Sequence, residues 1–273
     1  MFEIFQNALA SHSATFYIFA VIGVILMGLS KSGFGAGIGF LAVPLIASQS
    51  NVNTALAIML PLLVATDLMG IGIYIKKFDR SLMKWMIPAG LLGVLTGIMF
   101  FKEITPELLS IAIGIFTLVF LIQRLWLGYK SKDKNNTTAT DIGISNSQSL
   151  SLLQKISGFL LATTSGFTSF IAHNGGPPIS AFMIPLRLEP LVYTATLGIF
   201  FAFINFTKWI PYAYLGLLHF DQMAVAIILL PCVPIGVYLG FYAAKKLPQK
   251  TYYKIVYIAM FFGGIKMILD GIN

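Results

Sequence analysis

The sequence predicts an all-α polytopic membrane protein made of two inverted repeats, each a broken or re-entrant hairpin followed by three transmembrane helices. Three observations lead there. Of 273 residues, 57% are hydrophobic and only 10% charged, where soluble domains carry about 25% charged residues. Long runs hold no Asp, Glu, Lys or Arg: residues 32–66, 156–186, 190–207 and 222–244. The two halves also repeat one order of segments. A helix needs about 20 apolar residues to cross the hydrocarbon core. The runs lack the strict alternation of a membrane barrel, so helices are the expected spans.

The first segment, residues 16–48, is broken in its middle by Ser-Lys-Ser-Gly-Phe-Gly-Ala-Gly-Ile-Gly. Its first arm, residues 16–30, is about 22 Å of helix at roughly 1.5 Å per residue. That is short for a crossing. The arm is either half of a re-entrant hairpin or extends back toward Phe5, which leaves six spans plus two hairpins, or eight spans. Residues 1–14 contain no Lys or Arg and so lack the positive start of a cleaved signal peptide. Residues 52–75, 82–101 and 107–127 supply the three helices of the first repeat. Residues 128–151, with Lys130, Lys132, Lys134, Asn135 and Asn136, read as a solvated linker. A second broken segment, residues 152–186, is interrupted by His-Asn-Gly-Gly-Pro-Pro. Residues 190–217, 222–244 and 251–270 follow as helices. The units are therefore 1–127, a cytoplasmic linker 128–151, and 152–273.

The duplication can be followed residue by residue. Ser32-Gly33-Phe34 matches Ser165-Gly166-Phe167, and Phe78-Asp79 matches Phe220-Asp221. Pro88, Gly93, Gly97 and Lys102 match Pro231, Gly236, Gly240 and Lys245. Orientation follows from Lys and Arg in the short loops. Lys76, Lys77, Arg80 and Lys84, then Lys130 to Lys155, then Arg187, then Lys245 to Lys254 fall in alternate loops, and the other loops hold almost none. With the basic loops in the cytoplasm, both termini lie outside and the halves are inverted. The net charge of +8 is then a membrane-orientation signal, not a nucleic-acid one. Inverted repeats with broken helices place a site near the midplane.

Two glycine-rich breaks are the first candidates for that site. Lys31, Gly33, Gly35 and Gly37 lie in one, and His173, Asn174, Gly175, Gly176 and Pro177 in the other. Unwound backbone exposes amide groups, and a half-helix N-terminus suits an anion. The alternative is that the glycines only allow close helix packing. Ionisable residues within apolar runs are costly and mark function. Asp67 and Lys208 occupy equivalent repeat positions near the midplane. Asp67 is the candidate for proton coupling, together with His173, whose imidazole titrates near neutrality. Lys208, and Asn205 one turn away, are candidate anion ligands. A structural ion pair between the halves is the competing reading of Asp67 and Lys208. For His173 it is a structural histidine, and for Lys31 a lysine reaching an interface. Arg187 and Glu189 read as an interfacial anchor. The one cysteine, Cys232, excludes an internal disulfide. No catalytic triad, P-loop or zinc-ligand spacing is present, so neither an enzyme, a cofactor nor a resident metal is expected.

Three stretches resemble one family. Gly28-Leu-Ser-Lys-Ser-Gly-Phe-Gly-Ala-Gly with Val43-Pro-Leu, Ser165-Gly-Phe-Thr-Ser-Phe-Ile-Ala-His-Asn-Gly-Gly-Pro-Pro, and Asn205-Phe-Thr-Lys208 followed by Ile-Pro-Tyr are similar to the signatures of the TauE/SafE sulfite exporter family. Gly35-Ala36-Gly37 departs mildly from the consecutive glycines of many members. The resemblance implies secondary transport of small anions: sulfite, sulfonates, or related sulfur-containing or carboxylic compounds. The expected partners are a small anionic substrate, a coupling proton or sodium ion, and membrane lipid, with no nucleic acid. The expected location is the bacterial cytoplasmic membrane. An anion channel of the same fold is the alternative.

Overall fold

The structure is a computed structural model, and it describes residues 12–34, 42–101, 103–132, 150–218 and 220–272. These residues form eleven α-helices and no strand: α1 (Ala14–Leu29), α2 (Ala42–Ala47), α3 (Val52–Tyr74), α4 (Arg80–Phe100), α5 (Pro106–Lys132), α6 (Leu152–Ala172), α7 (Gly176–Met183), α8 (Pro190–Tyr214), α9 (Phe220–Leu229), α10 (Cys232–Lys246) and α11 (Gln249–Ile272). Side-chain caps start several of them. Ser13 accepts from the Phe16 amide at 3.2 Å, Asn51 from Thr54 at 2.8 Å, and Asp79 from Ser81 at 2.8 Å. Ser151 and Gln154 form a reciprocal capping box at the start of α6. Pro190 opens α8, where its missing N–H removes nothing.

By length and apolar composition, five of the described helices can cross a membrane. They are Ala14–Phe34, Asn53–Tyr74, Arg80–Phe100, Pro190–Tyr214 and Gln249–Ile272. The bent pair α9 and α10, counted as one span, brings the number to six. Large apolar side chains such as Met99, Leu152, Ile210 and Phe220 face outward. That is an exterior suited to lipid and hazardous in water. The chain is an all-α polytopic membrane protein.

Two expected elements differ. The first arm does not stop at Ser30. It continues from Ala14 through a π-helical turn, Ser30–Phe34, giving 21 residues, or about 30 Å of helix. The arm is long enough to cross, since the described helix runs on past the first serine to Phe34. Residues 222–244, expected as one helix, are bent by 52° where α9 gives way to α10 at Pro231. Proline removes one helical hydrogen bond and its ring clashes with the preceding turn. Pro88, which the sequence matches to it, lies inside the continuous helix α4, so the neighbours of a proline decide whether a bend opens.

Contacts are exchanged between the halves. α6 packs along α4, and α1 with its π turn packs along α10, while α3 lies against α8 and α5 against α11. Both exchanged contacts depend on glycine. A Cβ on Gly240 would lie 2.4 Å from the Leu29 carbonyl oxygen, and one on Gly93 only 1.9 Å from that of Thr163. Only backbone on backbone fits at these distances.

Three of the basic connections meet at one end of the bundle. Lys76, Lys77 and Asp79 line an open groove with Glu189, Leu191 and Val192 at the start of α8. The Asp79 amide donates to Thr196 Oγ1 at 2.9 Å. Gln249 donates to the Arg187 carbonyl at 2.8 Å and Tyr253 to that of Leu188 at 2.8 Å. The loops after α3, before α8 and before α11 are thus neighbours.

Candidate functional site

Two irregular helix ends frame the site. Beyond α1 the π turn presents carbonyl groups to hydroxyls of other helices. Tyr74 donates its hydroxyl to the Ser32 oxygen, and Thr194 Oγ1 donates to the Gly33 oxygen at 3.0 Å. π turns inside helices recur at functional sites. At the end of α6, His173 is left-handed, with φ 51° and ψ 27°. Its amide donates to the Ser169 oxygen at 3.1 Å, and the Asn174 amide donates to the Thr168 oxygen at 3.3 Å. Such a cap usually carries glycine. Histidine there accepts some backbone strain, and the imidazole is aimed back over the helix end.

One polar chain links the two ends. Lys31, from the π turn, is ion-paired with Asp67 of α3. Asn205 of α8 donates to Asp67 Oδ2 at 2.8 Å and accepts from Lys208 Nζ at 2.9 Å. Lys208 also donates to Ser169 Oγ at 2.7 Å and meets His173 Nδ1 at 3.2 Å. His173 Nε2 lies 3.0 Å from the Leu56 carbonyl oxygen. Leu56 belongs to α3, so the chain closes back on the helix that carries Asp67.

Proton positions follow from the partners. A carbonyl only accepts, so His173 Nε2 carries the hydrogen and Nδ1 accepts from the lysine. Lys208 then finds three acceptors for its three N–H groups, which suits the ammonium form. The Asn205 amide is fixed as well, since reversing it would set oxygen against carboxylate and NH2 against ammonium. Taken with both lysines and the carboxyl ionised, the cluster counts two ammonium groups, one carboxylate and a neutral imidazole.

Burial makes that balance matter. Lys208 is fully buried, Asn205 and Asp67 are 2% and 3% exposed, and the Lys31 side chain is 10% exposed. Charges out of water cost several kcal/mol each unless paired and hydrogen-bonded. Lys208 and Asp67 each find their partners. Lys31 Nζ has its ion pair with Asp67 and no further hydrogen-bond partner among the described residues.

Lys31, Asp67, His173, Asn205 and Lys208, all singled out in the sequence, lie in this chain. The other described candidates make contacts elsewhere. Gly33 packs on Gly240, and Asn174 turns to Met267 Sδ at 3.6 Å. Gly175 is pressed against Ser165, which donates to its carbonyl at 2.6 Å. Gly176 and Pro177 form the first turn of α7. Gly35 and Gly37 fall outside the described residues. Three participants carried no sequence prediction. Ser169 lies one turn before His173 on α6, and that spacing could have found it. The Leu56 carbonyl could not be found from sequence. Tyr212 stacks its ring on His173 with centroids 5.7 Å apart and donates to the Phe170 oxygen at 2.7 Å. Among the described residues no three His, Cys, Asp or Glu side chains group as metal ligands.

Ionisable side chains paired and hydrogen-bonded inside a polytopic helical bundle mark the pathways of membrane transporters. Residues 19–267 match the family model described as "Sulfite exporter TauE/SafE". The chain belongs to that family, a family of membrane transporters for sulfite and related sulfur compounds and not of enzymes. No curated protein and no solved structure matches the chain.

Proposed function

We propose that the protein is a secondary active transporter of small anions, carrying sulfite, sulfonates or related sulfur-containing or carboxylate compounds across the bacterial cytoplasmic membrane by alternating access. The observation that carries this reading is the buried chain from Lys31 to His173. It sets two ammonium groups against one carboxylate between the two broken segments. An excess of buried positive charge is tolerable where an anion completes it.

In this reading the halves are inverted repeats with both termini outside, and one half rocks against the other about the central chain. The exchange of contacts between the halves supports such a pivot, because Gly93 and Gly240 bring backbone directly onto backbone there. Asp67 takes and releases the coupling proton, and its contacts with Lys31 and Asn205 pass the change to both broken segments.

The test is purified protein in liposomes, offered labelled sulfite, a sulfonate series and short carboxylates with and without a proton gradient. Saturable uptake, counterflow and acceleration by the gradient are expected. No flux of any compound would remove the reading. Flux without saturation or counterflow would replace it with a channel.

A further inference from the structure

Lys31 and Lys208 contribute two positive charges to the site, Asp67 removes one, and the hydrogen bonds of His173 hold it neutral. The centre therefore carries a single unbalanced positive charge in an interior where it cannot be screened by solvent. Every donor of Lys208 is used, by Ser169, Asn205 and His173. Lys31 is different. Its side chain is nine-tenths buried, and beyond the Asp67 contact its ammonium has no hydrogen-bond partner among the described residues. It is the cation with donors to spare.

We infer that the site selects its substrate by charge number: it takes a singly charged oxyanion, bound directly by Lys31, and discriminates against a doubly charged one of the same shape. The inference rests on the anion-transport reading and sharpens it. One negative charge brings the centre to neutrality. Two leave an uncompensated charge in low dielectric, unless Asp67 gains a proton. The charged and titratable groups around that carboxyl are Lys31 on the π turn, Lys208 on α8 and His173 at the end of α6. Sulfite exchanges between singly and doubly charged forms near neutral pH, and in this account it enters as hydrogensulfite. Lys208 is a positioning residue: it holds Asn205, Ser169 and His173 in register while Lys31 meets the anion.

Methanesulfonate and sulfate test this directly, because both are tetrahedral, similar in size and different by one charge. Thermal stabilisation of the full-length protein in detergent at fixed ionic strength reads binding to the folded state. Wild type should be stabilised by methanesulfonate and little by sulfate. Sulfate is also harder to dehydrate, so the decisive comparison is Asp67→Asn. That change adds one positive charge to the site and leaves the dehydration of both ions untouched. The ratio of the two affinities should move toward sulfate by roughly tenfold or more. Lys31→Gln, which brings the centre to zero charge, should lose stabilisation by both ions. It keeps the idea testable if Asp67→Asn does not fold. Sulfate stabilising wild type as well as methanesulfonate does, an unchanged ratio in Asp67→Asn, or unimpaired methanesulfonate binding by Lys31→Gln would each overturn the charge rule. They would leave anion transport standing. If sulfite, sulfonates and carboxylates all fail to stabilise wild type, both readings fall together.

Discussion

Asn205 stands between Asp67 and Lys208, donating to the carboxylate at 2.8 Å and accepting from the ammonium at 2.9 Å. The two charged residues that the sequence matches across its halves are therefore joined through an amide, and the carboxylate is left to pair with Lys31. This arrangement makes the two ends of the chain energetically unequal.

Removing Asp67 should cost more stability than removing Lys208. Asp67→Ala leaves two buried ammonium groups without a counter-charge, and breaking a buried pair in this way costs about 3–5 kcal/mol. Lys208→Met leaves the Lys31–Asp67 pair intact and takes a hydrogen-bond partner from Asn205, Ser169 and His173. His173 keeps its bond to the Leu56 carbonyl and the Ser169 hydroxyl can turn to a carbonyl of its own helix, so one stranded group, the Asn205 oxygen, carries the loss at about 1–3 kcal/mol. Melting temperatures in detergent should fall further for Asp67→Ala, while both variants lose flux. The reverse order, or normal flux by Lys208→Met, would contradict the assigned partners.

Replacing His173 with glycine separates backbone from side chain. Glycine adopts the left-handed conformation freely, so the end of α6 keeps its shape and about 1 kcal/mol of strain is released. The imidazole link between Lys208 and the Leu56 carbonyl is lost. A folded protein with transport reduced at least roughly tenfold is expected, about 1.4 kcal/mol of lost stabilisation. Full transport by His173→Gly would make the residue a cap and nothing more.

The glycine-on-backbone contacts should be sharply position-dependent. A methyl at Gly93 would lie 1.9 Å from the Thr163 oxygen, whereas one at Gly198, within α8, meets nothing within 4 Å. Gly93→Ala should separate α4 from α6 and lower both yield and melting temperature. Gly198→Ala should be neutral or add up to about 1 kcal/mol through helix propensity. Equal behaviour of the two would mean that the α4–α6 contact is not as close as described.

Labelling can test orientation. In a Cys232→Ser background, single cysteines replacing Lys77 and Lys250 should react with a membrane-impermeant thiol reagent from the cytoplasmic face only. Reaction of either from outside intact cells would reverse the assignment drawn from the basic loops.

Much of the site was legible because charge inside apolar sequence is rare. Lys31, Asp67 and Lys208 stand out for that reason alone, and Asn205 follows from its position one turn before Lys208. What stayed hidden was pairing. Composition tells which side chains must find partners in the interior. It does not tell that Asp67 meets Lys31 and reaches Lys208 only through Asn205, because that depends on how helices from distant parts of the chain are rotated. Gly33 shows the same limit from the other side. A glycine beside a break is equally consistent with an exposed amide and with a neighbour's backbone, and the space is taken by Gly240. Pro88 and Pro231 carry one sequence signal and have two outcomes, since a proline removes one donor and the packing around it sets the bend.

The exchange of partners between the halves also bears on biosynthesis. Synthesis delivers α1 to α5 first, and at that stage the faces of α1 and α4 that will meet α10 and α6 have only lipid or an insertion factor to cover them. Yet Lys31 and Asp67 both belong to this early portion, so it can enter the bilayer with its deepest charges already neutralised by each other. Lys208 arrives later together with Ser169 and His173, which solvate it from within its own half. Assembly then brings Asn205 to Asp67, His173 to the Leu56 carbonyl and Thr194 to the Gly33 carbonyl, short-range polar latches that close once the nascent halves have sorted their apolar faces.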